Sequence, residues 1–139
     1  MEEVAFRLET YRFTKASLNF NLPDQAELNV AFTPRGVFYP KEARYELMFD
    51  ATIACKETNT TVFDVSCFAS FCFKNVHTLD EIPDFFYPNS IAILFPYVRA
   101  FISTMSLQAN VQPVILPTIN LMGLTEDLKK QTKVSDLNG

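Results

Sequence analysis

The sequence predicts an α+β fold: four strands followed by two helices, with the helices on one face of the sheet. Three observations carry that prediction. The first half of the chain alternates apolar and polar residues, the two-residue period of half-buried strands. The stretch from Tyr87 to Leu124 instead repeats its apolar residues at three and four positions, the period of a helix. The strands all precede the helices, the order of an α+β domain rather than of a βαβ unit. With 139 residues, 48% of them hydrophobic, there is material for one real core.

The elements follow in order. Phe6 to Leu22 reads as a long, interrupted extended segment in which Leu18, Phe20 and Leu22 alternate with Asn19 and Asn21; Pro23-Asp24 ends it. Leu28, Val30 and Phe32 form a second strand, closed by Thr33-Pro34-Arg35-Gly36, a turn by composition. The third strand sets Tyr45, Leu47, Phe49, Ala51, Ile53 and Cys55 on one face and Glu46, Asp50 and Thr52 on the other. After the polar connection 56–60, the fourth strand runs from Thr61 to Lys74, with Phe63, Val65, Cys67, Ala69, Phe71 and Phe73 on one face. Its second face, Val62, Asp64, Ser66, Phe68, Ser70 and Cys72, is mixed rather than fully polar. The segment HTLDEIPDFFY, ending at Tyr87, reads as a link, since Pro83 discourages a long helix there.

Pro88-Asn89-Ser90 reads as a reversal followed by helix-capping residues. Ile91, Leu94, Val98, Phe101, Ile102 and Met105 then mark one helical face, while Ile93, Phe95, Tyr97 and Ala100 make the helix apolar on more than one side. A helix greasy all round is normally covered all round, which implies that another subunit supplies part of the cover. Leu94, Tyr97, Val98, Phe101, Ile102 and Met105, with Phe63, Val65 and Cys67 of the fourth strand, are the expected oligomer interface. Pro96 should either start this helix or kink it. Pro113 and Pro117 then bracket a rigid link. A short second helix is expected from Gly123, capped by Thr125, and Lys129 to Gly139 reads as a frayed tail. The expected organisation is one domain over 1–124, with a short C-terminal helix and tail over 125–139.

Leu94-Phe95-Pro96-Tyr97 followed by Arg99, Ile102 and Ser103, then Leu116-Pro117, Asn120 and Leu124, resembles the SecB export chaperones. Phe6-Arg7-Leu8-Glu9, Phe13-Thr14-Lys15, Tyr45-Glu46-Leu47 and Thr61-Val62-Phe63 extend the resemblance over residues 6–124. It implies a four-stranded antiparallel sheet with two helices on one face, assembled as a dimer of dimers around the long helix. It also implies ATP-independent holding of unfolded or preprotein chains in hydrophobic surface grooves. Two departures stand out. The crossover between the first two strands is short and lacks the family's tryptophan-bearing segment. Three acidic positions that contact the motor protein SecA align with Ser17, Asn21 and Ser66, so the resemblance carries client holding further than contact with SecA.

The residues proposed for the client groove are Phe68, Phe85, Phe86 and Tyr87, with Leu121, Met122, Leu124 and Leu128 as the wall that the family's second helix provides. Catalysis and metal binding are set against this. Cys67, Cys72 and His77 are the sole cysteine–histidine set, but strand alternation puts Cys67 and Cys72 on opposite faces. A buried cysteine behaves as a small hydrophobe. No enzyme activity, metal or cofactor is expected. The net charge of −4 argues against nucleic acid, which needs a basic surface. No apolar run in the sequence reaches the roughly 18 residues of a membrane span, the acidic start is unlike a secretory signal, and three cysteines make no disulfide framework. The expectation is a cytoplasmic bacterial chaperone with no membrane insertion. Three alternatives stay open: a dedicated chaperone for one partner, of the antitoxin type; a small-ligand-binding or enzymatic oligomer; and a structural assembly subunit whose apolar patches are all consumed by contacts between subunits.

Overall fold

A computed structural model describes residues 5–23, 25–112, 114–116 and 120–136. Strands β1 (Ala5–Leu18), β2 (Leu28–Tyr39), β3 (Arg44–Cys55) and β4 (Thr61–Lys74) precede helices α1 (Phe86–Gln108) and α2 (Leu121–Lys130) and a last strand β5 (Thr132–Val134). The sheet has five strands in the order β1-β4-β3-β2-β5. The first four pair antiparallel and β5 pairs parallel to β2. The α+β class stands, but the sheet is mixed and five-stranded rather than four-stranded and antiparallel. The correction comes from the presumed tail, whose residues 132–134 join the sheet.

The alternation of β3 is realised strictly, and that of β4 except at Val62 and Ser70, which are buried on its second face. Tyr45, Leu47, Phe49, Ile53, Phe63, Val65 and Phe71 are fully buried against α1, whose Ile91, Leu94, Val98 and Ile102 are also fully buried. Helix α2 adds Leu124 and Leu128 to this one core, so it crosses the expected boundary at residue 124. Two stacked aromatic pairs carry the edge strand β1 onto α1: Tyr11 on Tyr97 at 4.3 Å and Phe13 on Phe101 at 4.0 Å between ring centroids. Such pairs contribute about 0.5–1.5 kcal/mol each beyond area burial.

Several boundaries differ from the sequence expectation, each for a local reason. Thr33-Pro34-Arg35-Gly36 is not a turn; β2 runs straight through it. Residues of even number in β2 turn their peptide groups away from β3, because Gly36 N–H donates outward to Gln131 and the Phe38 carbonyl accepts from Ser135. Pro34 therefore lacks its N–H on the outer edge, where no ladder bond with β3 is lost. Helix α1 starts at Phe86, ahead of the expected Pro88 reversal. Pro88 falls in the first turn, where amides have no intrahelical partner. The helix also passes through Pro96, which is exposed, as is Ala92 one turn before it. Helix α2 starts at Leu121 rather than Gly123, because the Asn120 side chain accepts the Gly123 amide at 3.4 Å. The 23-residue α1 is long and apolar enough on average to cross a membrane, although polar residues such as Asn89 and Arg99 interrupt its apolar runs; in this fold one of its faces is spent on the sheet.

Candidate functional site

Two connections, one on each side of the sheet end, build an apolar groove. The first follows β1. The Asn19 amide still donates to the Val62 carbonyl at 2.7 Å, so the chain leaves β4 late. Phe20 meets Phe63 edge-on at 6.1 Å, and the Asn19 side chain accepts the Asn21 amide at 3.1 Å to start the turn. At its far end the Glu57 carboxylate accepts the Glu27 amide at 3.1 and 3.2 Å. That amide, followed by the Cys55 thiol, holds the Glu57 carboxyl below its ordinary value.

The second connection follows α1. Ser106 is fully buried and accepts the Val114 amide at 2.9 Å, while its own hydroxyl donates to the Ser103 carbonyl at 2.8 Å. Ser103 donates in turn to the Val114 carbonyl at 3.1 Å. Two serines one helical turn apart thus satisfy both backbone groups of Val114 and pin the link to the helix.

Between the two connections lies a groove of about 410 Å³. Phe20, Leu22, Pro23 and Ala26 line one side and Val111, Val114 and Ile115 the other, with Leu28 at the start of β2. Gln25 and Gln112 add amides. Ile115 is 68% exposed and Leu28 37%. Among the described residues, none that lines the groove is ionisable, so it offers contact area and hydrogen bonds but no acid, base or nucleophile. The groove leads to an open sheet edge. Strand β5 covers β2 only at Gly36–Phe38, and among the described residues no strand covers Leu28 to Arg35. By the alternation that fixes Gly36 and Phe38, the peptide groups of Leu28, Val30 and Phe32 face outward there.

The residues proposed for the client site from sequence are not brought together. Phe86 and Leu128 are fully buried, and Tyr87 and Leu124 are 6% and 9% exposed, all within the core. They hold the helices on the sheet and cannot line a groove without leaving it. Phe85 and Met122 are open at 51% and 77%, and Leu121 is half-buried. Phe68 lies on the opposite face of the sheet, with the Arg12 guanidinium 4.4 Å over its ring. Of the proposed interface, Phe63, Val65, Cys67, Leu94, Val98 and Ile102 are buried within the chain itself, whereas Tyr97, Phe101 and Met105 keep exposed surface. The outer face of α1 carries Ile93 at 37%, Tyr97 at 41% and Leu107 at 58% exposure. Cys67 and Cys72 do lie on opposite faces of β4.

By sequence pattern the groove residues Phe20, Leu22 and Leu28 are strand positions, and Val114 and Ile115 belong to a rigid link. The missed signal was the apolar run Phe20-Leu22-Pro23-Ala26 in a connection too short to fold over and bury itself. Pro113 and Pro117, which bracket the link, lie outside the described residues.

The α+β sheet thus presents an open apolar groove, without an ionisable residue among the described ones that line it, and a β2 edge beside which Arg35, Asp127 and Lys130 line a second cavity. The chain belongs to the SecB family: residues 13–132 match the preprotein translocase subunit SecB. The fold is that of the Mycobacterium tuberculosis SecB-like chaperone Rv1957, solved in complex with a ChAD peptide from the antitoxin HigA1 (Rv1956). The TM-score is 0.68 at 12% identity, over 83% of this chain and 88% of that one. A protein of unknown function from Streptococcus agalactiae aligns at a TM-score of 0.44 and 12% identity, over 84% of this chain and all of that one. In sequence, 52 residues are 50% identical to an uncharacterised protein of Methanocaldococcus jannaschii, covering 37% of this chain and 34% of that protein. The match thus spans about a third of that relative's length.

Proposed function

We infer that this protein is an ATP-independent holding chaperone that binds unfolded polypeptides through the groove between residues 20–28 and 111–115 and along the open edge of β2. The observation that carries this is the continuity of the two: apolar lining runs directly into outward-facing peptide groups at Leu28, Val30 and Phe32. An extended chain satisfies both, its side chains in the groove and its backbone on the edge. A folded protein offers neither, which supplies selection without chemistry or a cofactor.

The apolar outer face of α1 supports assembly with further copies, a dimer of dimers in the family's manner, with many weak contacts around the oligomer adding up. A cytoplasmic, bacterial setting and a use in protein export accompany this proposal. Contact with SecA has less support. Ser17 and Ser66 occupy the far sheet face, where Asp64 is paired with Lys15 at 2.9 Å instead of standing in an acidic patch. The mycobacterial relative's complex with an antitoxin peptide favours a second reading, a chaperone dedicated to one partner.

The test is a refolding assay with a chemically unfolded model client at stoichiometric ratio. The protein should delay refolding and suppress aggregation, and Ile115→Asp should abolish both while the circular dichroism spectrum stays native. Equal activity of this variant and the wild type would sink the groove. A client range restricted to one copurifying stoichiometric partner would select the dedicated reading.

A further inference from the structure

The pairing of β2 with β5 differs from the other pairings of the sheet in being very short, parallel and supplied by the segment that follows α2. Strand β5 meets β2 at Gly36, Val37 and Phe38 only. Its backbone anchors are Gly36 N–H to the Gln131 carbonyl at 3.1 Å and Ser135 N–H to the Phe38 carbonyl at 2.9 Å. Lys133 and Val134 are exposed. Nothing in this segment belongs to the hydrophobic core, which ends at Leu128.

One side-chain contact latches it. The Tyr45 ring is fully buried and crosses the backbone of β2 at Gly36, where a Cβ would stand 1.9 Å from the tyrosine oxygen. Only glycine fits under that ring. The Tyr45 hydroxyl thereby reaches Thr132 at 2.6 Å. Thr132 gives its one proton to the Leu128 carbonyl at 2.6 Å, so Tyr45 is the donor between the two hydroxyls. A buried tyrosine hydroxyl needs a partner, and β5 provides it.

Beside the latch the edge is not closed. A cavity of about 240 Å³ separates Phe32–Arg35 of β2 from Asp127, Lys130 and Gln131 at the end of α2. A chain lying on the edge at Leu28–Phe32 therefore runs up to this cavity, which separates it from β5.

We propose that β5 is a built-in competitor strand: it occupies the last section of the client-binding edge of β2, and an extended client displaces it. This rests on the holding function inferred above and adds its regulation. With β5 in place, the outward peptide groups available to a client end at Phe32, because Pro34 has no N–H and is buried beside the end of α2. With β5 released, those of Gly36 and Phe38 are added, and the client takes over the bonds that Gln131 and Ser135 give up. The latch sets a preference as well. Release leaves the Tyr45 hydroxyl without its partner, and a serine or threonine of the incoming chain at that position replaces it. Short pairing plus one buried hydrogen bond keeps the strap closed when no client is present and leaves it weak enough to exchange.

The experiment locks and unlocks the strap in the full-length protein. Val37→Cys with Lys133→Cys, paired positions across the two strands, closes it as a disulfide under oxidation and frees it on reduction. Ser135→Pro removes one anchor outright. The probe is a fluorescein-labelled synthetic peptide of alternating leucine and threonine, read by anisotropy beside a version N-methylated at alternate amides. Affinity should fall about ten-fold in the oxidised lock, equivalent to about 1.4 kcal/mol, recover with reductant, and rise in Ser135→Pro. The N-methylated peptide should show no such dependence. Equal affinity in the oxidised and reduced forms overturns the competitor strand while leaving holding intact. Failure of the wild type to bind either peptide overturns holding, and this inference with it.

Discussion

The Ser106 hydroxyl, fully buried in α1, accepts the Val114 amide at 2.9 Å across a separation of eight residues. With the Ser103 hydroxyl donating to the Val114 carbonyl, this bond holds the start of the link after α1 where Val114 and Ile115 line the groove with Phe20 and Leu22. Ser106→Ala leaves a half-buried amide unpaired, a loss of about 1–3 kcal/mol. Urea denaturation should show that loss, and client holding should fall with it. A variant of unchanged stability and unchanged holding would show that the link is positioned by something else.

Adjacent phenylalanines separate core from surface. Phe86 is fully buried and meets Phe6 and Tyr45 at 4.9 and 4.8 Å between ring centroids, whereas Phe85 is 51% exposed. Phe86→Ala should destabilise by about 3–5 kcal/mol, as for other buried aromatic truncations. Phe85→Ala should stay within about 1 kcal/mol. Comparable midpoints for the two variants in chemical denaturation would contradict the fold.

Assembly is tested on the outer face of α1. Ile93 is 37% exposed and points away from the sheet core, so Ile93→Asp should leave the protomer folded. Light scattering should then report a smaller particle than for the wild type. An unchanged mass, with native circular dichroism, would remove this face from the interface.

Cys67 gives a signed pH dependence. It is 1% exposed on the core face of β4, and burial pushes its thiol up from 9.0 to about 11. Between those values the unfolded chain releases the thiol proton and the folded chain keeps it. Its contribution is therefore fully present below the free-thiol value and is lost as pH rises through about 11, an effect of at most about 3 kcal/mol. Denaturation midpoints of the wild type should fall more steeply over this alkaline range than those of Cys67→Ala. Parallel slopes would mean that Cys67 is not buried as described.

Periodicity found what depends on near neighbours in sequence. The faces of β3 and β4, from Tyr45 to Cys55 and from Phe63 to Phe73, follow from the two-residue alternation, and the buried row Ile91, Leu94, Val98, Ile102 follows from the helical one. The family, too, was legible in the spacing from Leu94-Phe95-Pro96-Tyr97 to Leu116. Composition misled where tertiary partners override it. Thr33-Pro34-Arg35-Gly36 has the makeup of a turn, yet Pro34 falls on an unpaired edge and Gly36 lies beneath the Tyr45 ring.

The sequence by itself determined the α+β class, the two buried strand faces and the docked stripe of α1, because hydrophobic period translates directly into which side of an element faces the core. Tertiary structure alone decided which apolar residues remain open. Phe86 and Leu128 are as greasy as Ile115 and Met122, and only packing places the first two in the core and leaves the others at the surface. It also decided the fate of residues 132–134, too few to show any period, which become strand because the edge of β2 and the hydroxyl of Tyr45 are there to receive them.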